Sequence, residues 1–88
     1  MKISSEKKEK ISEQILAFLY SVSPQSIFTF YIAKELARDE EFTKNLLLGL
    51  KKKGLVIEVK KSSTGNTYLR RSRWRLSDKA YGAYKDSQ

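Results

Sequence analysis

Three arginines alternate in the run TYLRRSRWRL at residues 67–76. If this run is a β-strand, Arg71, Arg73 and Arg75 share one face and repeat every ~6.8 Å, because successive side chains point to opposite faces. That repeat is close to the spacing of phosphates along a nucleic-acid strand. Because a guanidinium can donate two parallel hydrogen bonds to one phosphate, the row predicts a phosphate-binding strand. The alternative interpretation is a charged edge that only prevents aggregation of the sheet.

The formal net charge of +8 is confined to the same part of the chain. Residues 1–49 carry seven basic and seven acidic side chains, whereas residues 50–88 carry eleven basic and three acidic ones. A charge that is segregated in this way produces a local positive field, which is typical of proteins that bind nucleic acid or an anionic membrane. Solubility alone is the alternative explanation for the charge.

Several classes of catalytic and metal sites lack the residues they need. Cysteine and histidine are absent, which removes disulfides, thiolate metal sites and the commonest general base. No nucleophile–base pair and no glycine-rich phosphate loop is present. Asp39, Glu40 and Glu41 could bind a hard metal ion, but adjacent carboxylates at a helix start point in different directions, so a helix cap is the better interpretation. We therefore expect no enzyme activity, no metal and no cofactor.

The chain also lacks the apolar segments that direct proteins to membranes. It contains no run of about 18 apolar residues, so we expect neither a membrane-spanning helix nor a membrane partner. The first ten residues, MKISSEKKEK, lack the apolar block of a secretory signal. We expect a cytoplasmic location, which the absence of cysteine and histidine fits.

Hydrophobic periodicity predicts two helices in the N-terminal half. The first spans residues 5–21 and ends before Pro24, because proline disfavours helix at the residue that precedes it. A short extended piece follows at residues 25–29. Thr29 is expected to cap the second helix, at residues 30–38, with its hydroxyl.

The second half predicts a helix, a hairpin and a final helix. The third helix covers residues 39–53 and ends at Gly54, which supplies the left-handed closing residue. The hairpin strands are residues 55–61 and 67–76, and Ser77-Asp78 caps a short final helix. In the first strand Leu55, Ile57 and Val59 share one face, and in the second Tyr68, Trp74 and Leu76 do. Core burial is the better interpretation of Trp74, and a stacking platform for a single-stranded base is the alternative.

The third helix, within FTKNLLLGLKKKG at residues 42–54, is crowded with leucines. At 100° per residue most of the leucines fall into one stripe that should face the core. The members of this stripe are Thr43, Leu46, Leu47 and Leu50. The outward face then carries Lys44, Asn45, Leu48, Lys51 and Lys52.

Three stretches of the chain resemble the winged helix-turn-helix family. IAKELA (32–37) is similar to the first helix of the helix-turn-helix pair, and LLLGLKKKGLV (46–56) to a recognition helix entering its wing. RSRWRLSDKA (71–80) is similar to the wing exit of the multidrug-resistance and phenolic-acid repressor types, although Ala80 stands where those repressors usually have glycine. The resemblance covers roughly residues 8–84 and extends to small regulators of archaea and their viruses.

The resemblance implies a fold and a function for the chain. The fold is α+β, mainly helical: one winged-helix domain over residues 1–88, in the order helix, short strand, helix, helix, β-hairpin wing, short helix. Residues 1–4 and 85–88 are expected to fray. The function is binding of double-stranded DNA by a homodimeric transcription regulator, with the third helix in the major groove and the wing on the backbone or in the minor groove.

The resemblance also suggests which residues bind DNA. Lys44 and Asn45 stand where the family contacts bases, and Leu48 lies one turn further on. An asparagine pairs with adenine, and an apolar side chain packs on a thymine methyl. The complete set of expected DNA-binding residues is Lys44, Asn45, Leu48, Lys51, Lys52, Lys60, Lys61, Thr64, Asn66, Arg70, Arg71, Arg73 and Arg75.

Two alternatives remain open at this point. Glu40 and Glu41 at the start of the third helix would repel phosphate, and Leu48 is apolar. A winged-helix protein-interaction module that docks through the leucine-rich helix is therefore the first alternative. Binding of RNA or single strands through Tyr68 and Trp74 is the second. The apolar side chains expected at a dimer or partner interface are Phe18, Phe42, Tyr81 and Tyr84.

Overall fold

The computed structural model describes the backbone of residues 5–61 and 68–86, and the side chains of residues 5–60 and 72–86. Its elements occur in the predicted order, and each predicted bound lies within two residues of the observed one. The elements are α1 (Ser5–Val22), β1 (Ile27–Phe28), α2 (Thr29–Leu36), α3 (Glu40–Lys52), β2 (Val56–Lys61), β3 (Tyr68–Leu76) and α4 (Asp78–Asp86). Residues 85 and 86, expected to fray, belong to α4. None of the described helices is long and apolar enough to span a membrane.

The hydrophobic core lies between the helices and one face of the sheet. Each of α1, α2 and α3 contributes one apolar stripe, as the spacing of their apolar residues predicts. Ala80 of α4 is also buried there, so the methyl group at this position fits within the core. The buried cluster consists of Ile11, Ile15, Leu16, Leu19, Ile32, Leu47, Leu50, Val56, Trp74, Leu76 and Ala80.

The sheet is antiparallel with the strand order β1-β3-β2. Val56 lies opposite Leu76, and Ile27 and Glu58 both lie opposite Trp74. Directly opposed residues in antiparallel strands point to the same face. These five residues therefore define the core-facing side of the sheet.

The core-facing residues of β2 differ from the face singled out in its sequence. Ile57 and Val59 do share a face, but it is the half-buried outer one, opposite Arg75 and Arg73. The first two residues of the strand point to opposite faces and are both apolar. The alternation of residue types therefore does not identify which face lies in the core. The pairing of Val56 with Leu76 decides it.

Thr29 does not cap α2, so that prediction is wrong. Phe28 occupies the cap position, and no side chain there accepts a capping hydrogen bond. The Thr29 hydroxyl instead accepts a hydrogen bond of 2.7 Å from Nε1 of Trp74, which is fully buried. Because a buried indole N–H needs an acceptor, the threonine contributes more here than at the helix end. The burial of Trp74 also rules out its use as a stacking platform.

The ends of α3 follow the sequence prediction. The Asp39 carboxylate accepts a hydrogen bond of 3.0 Å from the Phe42 amide, which confirms the acidic cluster as a helix cap. At the other end Gly54 has a φ of 77°. Its amide and that of Leu55 bond to carbonyls of the last turn of α3. The chain therefore turns directly from α3 into β2.

Candidate nucleic-acid interface

The outer face of α3 is polar except at one position. Thr43, Leu47 and Leu50 are buried, and Leu46 packs against the core, so the predicted stripe of core residues is confirmed. Leu48 keeps 40% of its surface exposed. The exposed side chains of this face are Lys44, Asn45, Leu48, Lys51 and Lys52.

Glu58 of β2 links the outer face of α3 to the hairpin. Its Oε1 lies 2.8 Å from Nζ of Lys51 in the last turn of α3, and its Oε2 lies 3.8 Å from Nζ of Lys60. The Ser72 hydroxyl of β3 donates a further hydrogen bond to Oε2. The glutamate side chain is only 5% exposed, whereas both lysines are about half exposed. We name these four residues, Lys51, Glu58, Lys60 and Ser72, the Glu58 cluster.

The Glu58 carboxylate remains ionised because its cationic partners outweigh its burial. Burial by itself would raise the pKa of Glu58. The hydrogen bonds from Lys51 and Ser72, together with the charges of Lys51 and Lys60, lower it by more, so the pKa lies below its ordinary value of 4.5. At neutral pH the cluster therefore contains two positive charges and one negative charge.

Sequence reasoning did not identify Glu58 as a site residue. The one sequence feature that could have drawn attention to it is that it is the single acidic residue between Leu50 and Ser77, among many basic ones. Its partners in α3 and β3 follow from how the hairpin packs against the helix.

Arg73 and Arg75 lie on the opposite face of the sheet from Glu58. Arg73 pairs with Val59, and its Cζ lies 5.6 Å from the centroid of the Phe28 ring. Arg75 donates a hydrogen bond of 3.1 Å to its neighbouring carbonyl at Leu76 and approaches Asp78 at 4.0 Å. The shared face expected from the alternation is confirmed for these two arginines, but both side chains are half-buried in contacts within the protein.

Part of the predicted site lies outside the described residues. This applies to Thr64 and Asn66, and to the side chains of Lys61, Arg70 and Arg71. The side chain of Tyr68, invoked for single-strand binding, also lies there. The contributions of these residues to binding stay predictions.

The start of α3 combines acidic and basic groups. Asp39, Glu40 and Glu41 line a shallow depression together with Lys44, Asn45 and Leu48. All three acids are exposed. A phosphate at this helix end would therefore meet negative charge.

An exposed aromatic surface on α2 was not predicted. Phe30 is 45% exposed and Tyr31 is 57% exposed. Their ring centroids lie 5.4 Å apart, and Tyr31 lies 6.5 Å from Phe28, the ring over which Arg73 is placed. The available signal was positional, because Phe30 and Tyr31 directly precede the buried pair Ile32 and Ala33 in α2.

Of the four residues expected at a dimer or partner interface, one is largely exposed. Phe18, Phe42 and Tyr84 are only partly buried and pack against the core, whereas Tyr81 is exposed. Tyr81 and Tyr84 lie within 5.5 Å of the Tyr20 ring, centroid to centroid, and so join α4 to α1. Burial, with a smaller effect from the charge of Glu13, raises the pKa of Tyr84 above 10.0.

Comparison with known proteins establishes the fold. MepR from S. aureus superposes with a TM-score of 0.71 and 22% identity over 88% of this chain and 53% of its own. A MepR–DNA complex gives a TM-score of 0.70 with 23% identity, covering 92% of this chain and 66% of its own. ZitR of Lactococcus lactis, a zinc-responsive MarR family member, gives 0.67 with 21% identity, covering 99% and 52%. No protein-family model and no curated protein matches this chain.

The chain thus has the winged-helix fold, in which α2 and α3 form the helix-turn-helix pair and β2 and β3 form the wing. It spans about half to two thirds of the length of these structures. At this level of identity the similarity concerns the fold alone.

Proposed function

We propose that this chain binds double-stranded DNA and regulates transcription. In this proposal α3 lies in the major groove and the wing lies against the phosphate backbone. The observation that carries the proposal is the outer face of α3. The leucine stripe of α3 packs in the core. The exposed side chains of the outer face are therefore lysines, together with Asn45 and Leu48.

The fold and the charge distribution support this assignment. One of the structures that share the fold is a complex with DNA. The whole excess of positive charge lies at or beyond the last turn of α3. An α-helix fits the major groove of B-DNA, which is about 12 Å wide.

The exposed residues of α3 would take different roles on DNA. The Asn45 amide can pair with the edge of an adenine, and Leu48 can pack on a thymine methyl. Lys44 would lie with Asn45 at the base edges, and Lys52 would contact a phosphate, which positions a protein on DNA without reading its sequence. Affinity should therefore come chiefly from phosphate contacts and fall steeply as salt is raised.

Fluorescence anisotropy of a labelled DNA duplex across a salt series tests the proposal. We expect the wild type to bind, and Lys52→Ala to reduce the slope of log affinity against log salt by about 0.9, since one phosphate contact is lost. The matched control is Lys10→Ala, which removes the same charge from an exposed position of α1. A wild type that fails to bind at low salt, or a control with an equal loss, contradicts the proposal.

Leu48 supports a second candidate function, docking of a partner protein on α3. It is a large apolar residue exposed on a lysine-rich face, and it lines a shallow depression with Gly49, Lys51 and Lys52. Leu48→Ser distinguishes the two functions. If α3 reads DNA, the variant loses discrimination between duplex sequences. If a protein partner is lost while duplex affinity and discrimination stay at the wild-type level, the docking function is favoured.

The proposal includes a cytoplasmic homodimer, and the zinc response of ZitR is not carried over to this chain. Exposed Tyr81, beside Tyr20 and Tyr84, offers an aromatic contact for a second copy. Sedimentation of the wild type and of Tyr81→Ser tests this, and a wild type that stays monomeric at high concentration contradicts it. The zinc response that names ZitR is not transferred, because this chain has neither cysteine nor histidine, the commonest zinc ligands.

A further inference from the structure

One carboxylate lies among the lysines of the proposed DNA surface. Glu58 is almost completely shielded from solvent, yet it contacts Lys51 of α3 and Lys60 of β2. An acid at this place works against phosphate binding, since it cancels one of the two positive charges next to it. A surface selected only for affinity would not be expected to contain it.

We infer that Glu58 is an affinity-tuning residue, an internal counter-ion that weakens the phosphate-dependent part of the binding to DNA of any sequence. The inference rests on the proposed function, because it concerns the same surface. Glu58 neutralises Lys51 in the folded protein and attracts Lys60, so that both lysines add less to the binding of an arbitrary phosphate backbone.

The effect follows from how non-specific binding arises. Each cation that neutralises a phosphate releases condensed counterions, and this release supplies nearly all of the non-specific affinity. A lysine that already has a carboxylate 2.8 Å away gains less from a phosphate. Because solvent is largely excluded from Glu58, its charge is weakly screened and an approaching phosphate experiences it.

The carboxylate changes the part of the affinity that does not depend on sequence. The base contacts proposed for Asn45 and Leu48 are available only on a matching sequence, whereas phosphates are available everywhere. Weakening the phosphate contribution therefore lowers the affinity for every duplex alike, and it leaves discrimination between sequences to the base contacts. Glu58 acts through Lys51 and Lys60 and does not need to touch DNA itself.

The contact with Ser72 holds the carboxylate in this position. The serine hydroxyl donates to Oε2 from β3, while Lys51 binds Oε1 from α3. A glutamine at this position keeps the size of the side chain and a carbonyl oxygen that can accept one of these bonds. Glu58→Gln therefore removes the negative charge with the least change in packing.

The first arm of the test measures salt-dependent binding of a random-sequence duplex to the wild type, to Glu58→Gln and to Glu6→Gln. Removing the single negative charge of Glu58 should steepen the slope of log affinity against log salt by about 0.9. If the two lines meet at 1 M salt, this is about 8-fold tighter binding at 0.1 M. Glu6→Gln makes the same change of net charge at an exposed position in the first turn of α1 and should keep the wild-type slope.

The second arm removes the Lys51–Glu58 pair without changing the net charge, so that no shielded charge is left unpaired. Lys51→Met/Glu58→Gln should keep the wild-type slope, because Lys51 and Glu58 offset each other. Lys52→Met should reduce the slope by about 0.9. Ser72→Ala removes a hydrogen bond without changing any charge, so it should leave the slope close to that of the wild type.

The outcomes separate this inference from the proposed function. If the wild type binds and Glu58→Gln has the wild-type slope, or Lys51→Met/Glu58→Gln lowers the slope as much as Lys52→Met does, the inference is overturned and the DNA-binding function stands. If the wild type shows no salt-dependent binding to the duplex, the proposed function fails and the inference fails with it. A steeper slope for Glu58→Gln but not for Glu6→Gln supports both.

Discussion

On one face of the sheet, Glu58 and Ser72 hold Lys51 against the hairpin at the end of α3; on the other face, Arg73 lies over the ring of Phe28. Both faces carry cations, but only the first lies beside the exposed row of α3. Arg73 and Arg75, the described cations of the second face, are half-buried in contacts with an aromatic ring, a backbone carbonyl and a nearby carboxylate. The comparison teaches that a cation contributes to a binding surface according to what already contacts it.

The largest expected effect is on the free energy of unfolding, and it distinguishes the core-facing side of the sheet from its outer face. Trp74→Ala removes a fully buried side chain and its hydrogen bond to Thr29. It should lower the free energy of unfolding by about 3–5 kcal/mol, measured by urea denaturation. Arg75→Ala, at the neighbouring position on the outer face, should lower the free energy of unfolding far less. Similar losses for the two variants would mean that the outer face is packed as tightly as the core.

A smaller effect is expected for Arg73→Ala, which should change stability but not the salt dependence of duplex binding. Arg73→Ala removes the contact with Phe28 and should lower the free energy of unfolding by about 0.5–2 kcal/mol. Its salt dependence of duplex binding should match that of the wild type, whereas Lys52→Ala should reduce the slope by about 0.9. If Arg73→Ala reduces the slope equally, the outer face also binds phosphate, as the alternation of arginines predicts.

The smallest effect concerns pH. The pKa of folded Glu58 lies below 4.5, so its contribution to stability is fully present above the pKa of the unfolded chain and is lost as the pH falls through the folded value. Between pH 6 and pH 3 the wild type should therefore lose more stability than Glu58→Gln. Urea denaturation at each pH measures this difference. Parallel pH profiles would show that the lysines do not stabilise the ionised carboxylate.

Much of the fold could be predicted because its signals are local. The stripe of Thr43, Leu47 and Leu50 follows from helical periodicity, and the end of α3 follows from Gly54 and the lysines before it. The Asp39 cap was predictable because a carboxylate that precedes a helix can reach only the first amides.

Predictions that required a choice between partners were less successful. Thr29 has the residue type and position of a helix cap, but its hydroxyl bonds to Trp74, which is 45 residues away in the chain. The alternation in β2 indicated a two-faced strand without showing that Val56 lies on its core side. The position of the exposed rings of Phe30 and Tyr31 depends on how α2 is oriented in the fold.

The sequence by itself determined the order of the elements, the outward face of α3 and the location of the positive charge, because helical periodicity, turn chemistry and charge are properties of neighbouring residues. The tertiary structure decided which cations contact other groups of the protein. Antiparallel pairing places Glu58 on the face of Trp74 and Arg73 on the other face, and the packing of α3 against the hairpin brings Lys51 to Glu58. Such pairings depend on register and on distances across the fold, which residue order alone does not specify.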